Sequence, residues 1–384
     1  MEPIRIAFLS EHVYSLFNPK RETPFGGAEV DLYNLAVYLA RNPRFSVTFY
    51  VGDFGQTDKP EIFQNVKLQK IKMFGWHGKT RRQKAIFYKN LWETLFESDA
   101  DIILTEMASH LVGWAAIFFK ILKNKRYIHR LASDQDTTYT HPSTINSRRI
   151  YYLYRLGLKK ADMIFSQTQQ QQKMLKERMG VDSQVVPNGF FINPDIDFEN
   201  KTDILWVGRC APVKRADLFI ELAKRLPHLS FLMIMPPPFV TESKSFKEEA
   251  EQIVREAKAL PNLTYKGQVP FSEIQANYNR ARLFVNTSEY EGFPNAFIQA
   301  CLGGTPIVSL NVDPDGFITR NHLGICCQGS LETLIKEIEA LSEAKIKNWG
   351  TNALNYAKEN HDIQRMGGLY EKAILELTVG TTQA

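Results

Sequence analysis

Arg209 and Lys214, in the segment WVGRCAPVKRADL (206–218), are the residues most suggestive of chemistry in this chain of 384. The segment leaves an apolar, strand-like run and enters a helical pattern, with Gly208 at the turn and Pro212 inside it. A guanidinium fork beside an ammonium point charge suits a diphosphate. The same pair can take a metal ion's place by stabilising charge on a phosphate leaving group. Two solvated basic residues near a helix start are the alternative, although cations there oppose the helix dipole unless an anion intervenes.

A second constellation lies in SEYEGFPNAFIQACLGGTPIVS (288–309), an acidic loop that runs into a short apolar segment and then a β-branched run. Pro294 suits a first helical position, and the amides around Gly292, Phe293 and Asn295 then face a ligand. Glu291 stands in the loop before that helix and Gln299 about a turn inside it. The carboxylate accepts sugar hydroxyls, while the amide both donates and accepts. Simple complementation of the helix dipole by Glu291 is the alternative.

Two weaker sites share the same setting. In FGGAEV (25–30), Gly26 and Gly27 let a ligand approach the backbone at a helix start, although a plain tight turn explains them equally well. In KGQVPFSEI (266–274), Gly267 and Val269 offer backbone groups to a flat heterocycle.

These loops need a scaffold, and the hydrophobic pattern supplies one. Runs at 4–9, 46–51, 101–105, 125–129, 162–166 and 184–188 read as strands, with a helix over about 28–41 between the first two. Residues 190–202 break the pattern as a linker. Alternation restarts with strands at 204–207, 230–235, 262–266, 283–286 and 306–310 and a helix over 216–226. The expectation is an α/β protein of two tandem, doubly wound Rossmann-like domains, about 190 residues each. Ligands then sit outside the carboxyl ends of the strands, where all four loops lie. The run QTQQQQK (167–173) reads as an exposed helix start.

Composition narrows the class. Apolar residues make up 44% and charged residues 23%, as in an ordinary soluble enzyme. No apolar run approaches the roughly 20 residues that span a bilayer, and the N-terminus does not read as a signal peptide. Four cysteines without metal or disulfide spacing fit a reducing cytoplasm.

Taken together, VGR with Lys214, KGQVP, SEYEGFP and GGTPIVS, preceded by GGAE and by VPNG (186–189), resemble the GT-B-fold retaining glycosyltransferases of the large family-four group, over nearly the whole length. The resemblance implies two domains facing across a cleft: an acceptor-binding domain at 1–192, a nucleotide-sugar domain at 193–361, and a last helix within 362–384 crossing back to the first. It places Gly26 and Gly27 against the donor phosphate and the acceptor, and Asn188 of VPNG among the donor-binding residues. Arg209 and Lys214 would hold the diphosphate, and Val269 would meet the nucleobase. Glu291, with no protein partner of its own, would bind the donor sugar beside the Gly292, Phe293 and Pro294 backbone. The family's second acidic residue binds ribose hydroxyls, and that position is Gln299 here. A histidine after a central strand often contacts the sugar; His129 is the nearest match, with Arg130 one register away. MPPP (235–238) stands where the family usually has a glycine turn.

The implied reaction moves a sugar from a nucleoside diphosphate to a hydroxyl of a carbohydrate or lipid-linked acceptor with retention, in polysaccharide or glycolipid assembly. It uses neither metal nor cofactor. SDQD (133–136) imitates an Asp-x-Asp metal loop but reads better as a polar pocket wall. Residues 1–195 carry 27 Lys and Arg against 19 Asp and Glu, and bases mix with aromatics at 67–92, 110–126 and 148–160. Such segments suit an anionic membrane surface or a lipid-linked acceptor's phosphate, placing the enzyme on the inner face of the membrane; a solvated face over aromatic core residues is the alternative. A non-catalytic relative that keeps the fold as a nucleotide- or partner-binding module is the main rival. An epimerase needs an acid/base set not found here, a dinucleotide oxidoreductase lacks G-x-G-x-x-G, and nucleic-acid binding would leave the diphosphate pocket idle.

Overall fold

In the computed structural model, which describes residues 2–20, 25–72, 80–138, 147–192, 196–238 and 243–379, the apolar runs assemble into two separate sheets. The chain divides into two units. Unit 1 comprises Met1–Phe191 with Ile363–Ala384, and unit 2 comprises Ile192–Asp362. Residues 193–195 of the expected linker lie outside the described residues.

Unit 1 holds eight strands: β1 (Ile4–Leu9), β2 (Phe45–Val51), β3 (Glu61–Phe63), β4 (Val66–Lys70), β5 (Ile102–Glu106), β6 (Arg126–Arg130), β7 (Met163–Ser166) and β8 (Gln184–Val185). Their order is β3-β4-β2-β1-β5-β6-β7-β8, parallel except for the β3–β4 hairpin. The sequence pattern missed that hairpin, whose turn residues Gln64 and Asn65 both have positive φ, as a two-residue β-hairpin turn requires. Helices cover the sheet. His110–Ala115 and Arg148–Lys160 meet through glycines, since a β-carbon on Gly113 would lie 2.3 Å from the Leu153 carbonyl oxygen. The helix Ile363–Val379 belongs to this unit, with Tyr370 packed on Phe165 at 4.4 Å and Glu371 accepting from the Asn42 amide at 3.0 Å.

Unit 2 holds six parallel strands: β9 (Asp203–Val207), β10 (Phe231–Ile234), β11 (Leu263–Lys266), β12 (Ala281–Asn286), β13 (Ile307–Ser309) and β14 (Gly324–Cys326). The order β11-β10-β9-β12-β13-β14 is that of a Rossmann sheet: the chain builds outward from β9, then returns to start β12 on its other side. The topological switch point is therefore the gap between β9 and β12. Leu205, Leu283, Val285 and Val308 are fully buried in its strands, as parallel sheets covered on both faces require.

Candidate active site

The loops after β9 and β12 flank the unit 2 switch point, and they carry Lys214 and Glu291. The β9 loop turns at Gly208, where a β-carbon would meet the buried Trp206 ring at 2.8 Å. It then forms a single 3-10 turn, Pro212–Lys214, in which the Lys214 amide donates to the Ala211 carbonyl at 2.8 Å. Arg215 ends that turn with φ +48° and leads into helix Ala216–Arg225.

The two loops are stitched together. The Glu289 amide donates to the Val213 carbonyl at 2.9 Å, and the Thr287 hydroxyl donates to the Lys214 carbonyl at 2.7 Å. Thr287 also accepts from the Trp206 indole N–H at 2.9 Å. These bonds join the loops that carry Lys214 and Glu291 into one frame.

Within that frame the Lys214 ammonium donates to Glu291 Oε1 at 2.6 Å. The same oxygen accepts from the Ser288 hydroxyl at 2.7 Å and from the Asn286 amide at 3.3 Å. Burial pushes the Glu291 carboxyl upward, but Lys214, aided by the Ser288 and Asn286 donors, more than offsets it and holds the group below its ordinary value. The expectation of a Glu291 without a protein partner is thereby corrected: a lysine ammonium occupies the position opposite the carboxylate. Asn286 and Ser288 were not picked out from the sequence. The signal was there, a polar Asn-Thr-Ser run buried at the end of an apolar strand.

The remaining expected residues of unit 2 fall around this pair. Arg209 is exposed on the Lys214 loop. Pro294 is the N-cap of helix Asn295–Leu302 rather than its first residue, a one-position difference that leaves the first-turn amides at the loop. The partly exposed Phe293 packs its ring edge-on to Phe317 at 5.0 Å. Gly292 is partly buried beside Glu291, and Gln299 is buried on the helix. Val269 lies after β11, at the same carboxyl edge but two strands from β9. Met235 of MPPP accepts from the Tyr265 hydroxyl at 2.9 Å, and residues 239–242 beyond it lie outside the described residues.

Unit 1 treats its expected residues differently. His129 is fully buried inside β6. Its Nδ1 is 3.0 Å from the Thr105 hydroxyl, and burial pushes the imidazole down to about 3. It is a neutral core histidine, and its placement lends no support to a sugar contact. The strand ends instead at Arg130, also buried, whose guanidinium meets Glu106 at 2.5 Å, Asp31 at 3.2 Å and the side-chain oxygen of Asn188. Asn188 thus spends that oxygen inside the unit rather than on a ligand. Gly26 is the N-cap of helix Gly27–Leu39, and its amide donates to the Glu29 carboxylate at 2.7 Å; Gly27 is exposed.

Within SDQD, one residue has a structural task, while Ser133, Asp134 and Gln135 remain partly exposed. Asp136 is fully buried and accepts from the backbone amides of Ala108 at 3.2 Å, Ala132 at 2.7 Å and Ser133 at 3.1 Å, tying two loops together. Nor is the glutamine run simply exposed. Gln171 is fully buried, and its side chain accepts from the Gln167 amide at 2.8 Å. Among the described residues no three His, Cys, Asp or Glu side chains cluster as metal ligands, and no helix is long and apolar enough to cross a membrane.

Comparison with known proteins agrees with this architecture. Residues 25–192 match the model of Glycosyltransferase Family 4, and residues 191–358 match that of Glycosyl transferases group 1. No curated protein matches the chain. Among solved structures, the sucrose-phosphate synthase from Thermosynechococcus elongatus superposes with a TM-score of 0.80 at 16% identity, covering 98% of this chain and 100% of that one. HepE of Anabaena, in complex with UDP-glucose, gives 0.67 at 17% identity, covering 97% and 100%. A UDP-forming trehalose-phosphate synthase from Burkholderia xenovorans gives 0.67 at 12% identity, covering 99% and 100%. With both halves matched in order and two Rossmann-like sheets in place, the chain belongs to the group 1 glycosyltransferases of GT-B fold.

Proposed function

We propose that this glycosyltransferase moves a sugar from a nucleoside diphosphate to an acceptor hydroxyl with retention at the anomeric carbon and without a metal ion. The observation that carries the reading is the Lys214–Glu291 pair at the unit 2 switch point. Lys214 and Arg209 hold the diphosphate and stabilise the charge that develops on it as the glycosidic bond breaks. Glu291 turns to the sugar hydroxyls, and the first-turn amides of helix Asn295–Leu302 with the Gly292–Pro294 backbone face the same ligand. Gln299 bonds the ribose, and Val269 lies by the nucleobase. The acceptor attacks from the face the diphosphate leaves, and its proton passes to a phosphate oxygen. Recognition of the acceptor falls to unit 1. The UDP-glucose held by HepE supports the donor class.

Incubation with a panel of nucleotide sugars, followed by thermal stabilisation and nucleotide release, tests the reading. One donor stabilises the protein and releases its nucleotide when an acceptor is supplied. Stabilisation without turnover on any acceptor favours a non-catalytic binding module instead.

The acceptor is lipid-linked, in polysaccharide or glycolipid assembly at the cytoplasmic face of a membrane. A surface of unit 1 supports this. Tyr88, Trp92 and Phe96 are exposed at helical spacing on Arg81–Glu97, beside exposed Ile121 and Leu122, and the Lys123 ammonium lies over the Phe96 ring. Helix Arg148–Lys160 carries five basic residues and no acidic one. Aromatic and basic side chains together suit an anionic lipid surface. Residues 73–79 of the basic stretch lie outside the described residues. Co-sedimentation with anionic vesicles at low salt checks this part, and a protein that stays in the supernatant contradicts it.

A further inference from the structure

Lys201 lies just before β9, at the amino edge of the unit 2 sheet and so at the opposite end from Lys214. Its ammonium donates to the carbonyls of Gly303 at 2.7 Å, Asn279 at 2.8 Å and Ala281 at 3.2 Å, and to the Thr305 hydroxyl at 3.0 Å. Three N–H protons are shared among four oxygens, none of them a carboxylate. Burial lowers the ammonium to about 8 against the opposing charge of Asp197, so this cation is costly to keep where it is.

Two of those carbonyls mark helix ends. Asn279 is in the last turn of Phe271–Arg280, and Gly303 caps Asn295–Leu302. One cation therefore neutralises the negative ends of two helix dipoles. The two ends also touch directly, because a β-carbon on Gly303 would lie 2.8 Å from the Tyr278 carbonyl carbon. The Thr305 hydroxyl, 2.7 Å from the Tyr278 carbonyl, closes the junction. Eight residues of helix form a rod of about 12 Å, and the other end of the Asn295–Leu302 rod opens at Glu291 and Gly292.

We propose that Lys201 is a positioning residue for the donor-sugar loop: by clasping the carbonyl ends of both helices it fixes Asn295–Leu302 along its axis and so sets where Glu291 and the Gly292–Pro294 backbone stand relative to Lys214. The role in donor binding rests on the function proposed above; the positioning itself does not.

The test compares the full-length wild-type chain with Lys201→Met, or with Lys201→Gln if the first variant does not fold. Amide hydrogen exchange is read in peptides over 288–302 and, as an internal reference, over β10. The expected result is a loss of protection in 288–302 of about tenfold or more with the β10 peptide unchanged. Unchanged exchange in 288–302, or an equal loss across unit 2, overturns the proposal. With UDP and UDP-glucose as probes, the variant should lose the affinity that the glucose adds while keeping that for UDP; an unchanged ratio of the two dissociation constants also overturns it. A wild-type protein that binds neither probe counts against UDP-sugars as donors, while the exchange comparison still decides the role of Lys201.

Discussion

Lys214 Nζ stands 2.6 Å from Glu291 Oε1, although 77 positions separate the two in the chain. Each is carried by its own loop at the carboxyl edge of one sheet, and the loops are bonded to each other through Glu289 and Thr287. The pair places the cation wanted by a diphosphate against the anion wanted by a sugar. In the proposed function a donor that enters takes Lys214 with its phosphate and Glu291 with its hydroxyls, exchanging one set of charge-assisted bonds for another.

That relationship sets the titration of Glu291. Its carboxyl is held below its ordinary value of 4.5, so the stabilisation from the pair is present above 4.5 and is lost only as pH falls through the lower, folded-state value. In Lys214→Met the burial that pushes the group upward loses its main opponent, and the carboxyl rises. Side-chain carbon NMR of Glu291 in both proteins checks this, and equal titration in the two contradicts it.

His129 is fully buried and titrates near 3, so it stays neutral through the whole physiological range. His129→Gln should cost stability, by about 1–3 kcal/mol for the disturbed contact with Thr105, yet leave the shape of the pH–rate profile above about pH 5 unchanged. Urea unfolding and a pH–rate series measure the two effects. A lost limb near neutrality would show that the imidazole takes part in proton transfer after all.

By the resemblance, Gln299 stands where an acidic residue is expected to bind the ribose, and the proposed function gives it that ribose contact. Gln299→Glu offers a ribose a charge-assisted bond in place of a neutral one and should tighten nucleotide binding by about 1 kcal/mol. Calorimetric titration with the cognate nucleoside diphosphate reads this directly. Weaker binding would mean that the buried position cannot carry the charge.

Acid stability of unit 1 depends on Asp101. Burial pushes its carboxyl up, but hydrogen bonds from Arg5 and Lys125 hold it down to about 2 from 3.8. The stabilisation is therefore complete above 3.8 and disappears as pH falls toward about 2. Asp101→Asn should remove about 1–2 kcal/mol at neutral pH, allowing for solvent screening of a part-exposed group, and should flatten the acid limb of the unfolding curve. An unchanged acid limb contradicts the assignment.

Much of the scaffold was legible because buried parallel strands leave plain apolar runs, as at 4–9 and 283–286. The β3–β4 hairpin was not, because three-residue and five-residue strands around Gln64 and Asn65 are too short to show a period. Strand β14, three residues starting at Gly324, was missed for the same reason. In the site, the loops could be read but not their contacts. Lys214 and Glu291 meet only because β12 returns beside β9, which local pattern does not reveal. The surroundings of His129 and Arg130 were hidden for a similar reason: the buried partners of Arg130, at positions 31, 106 and 188, come together only in the folded unit.

In the proposed function Lys214 grips a diphosphate while Glu291 grips the sugar attached to it. Calorimetric titration of nucleoside diphosphates and their sugar conjugates into wild type, Lys214→Met and Glu291→Gln tests it most directly. Lys214→Met is expected to weaken both ligands by about tenfold or more, whereas Glu291→Gln weakens only the sugar conjugate. Unaltered affinity of Lys214→Met for both ligands would contradict it.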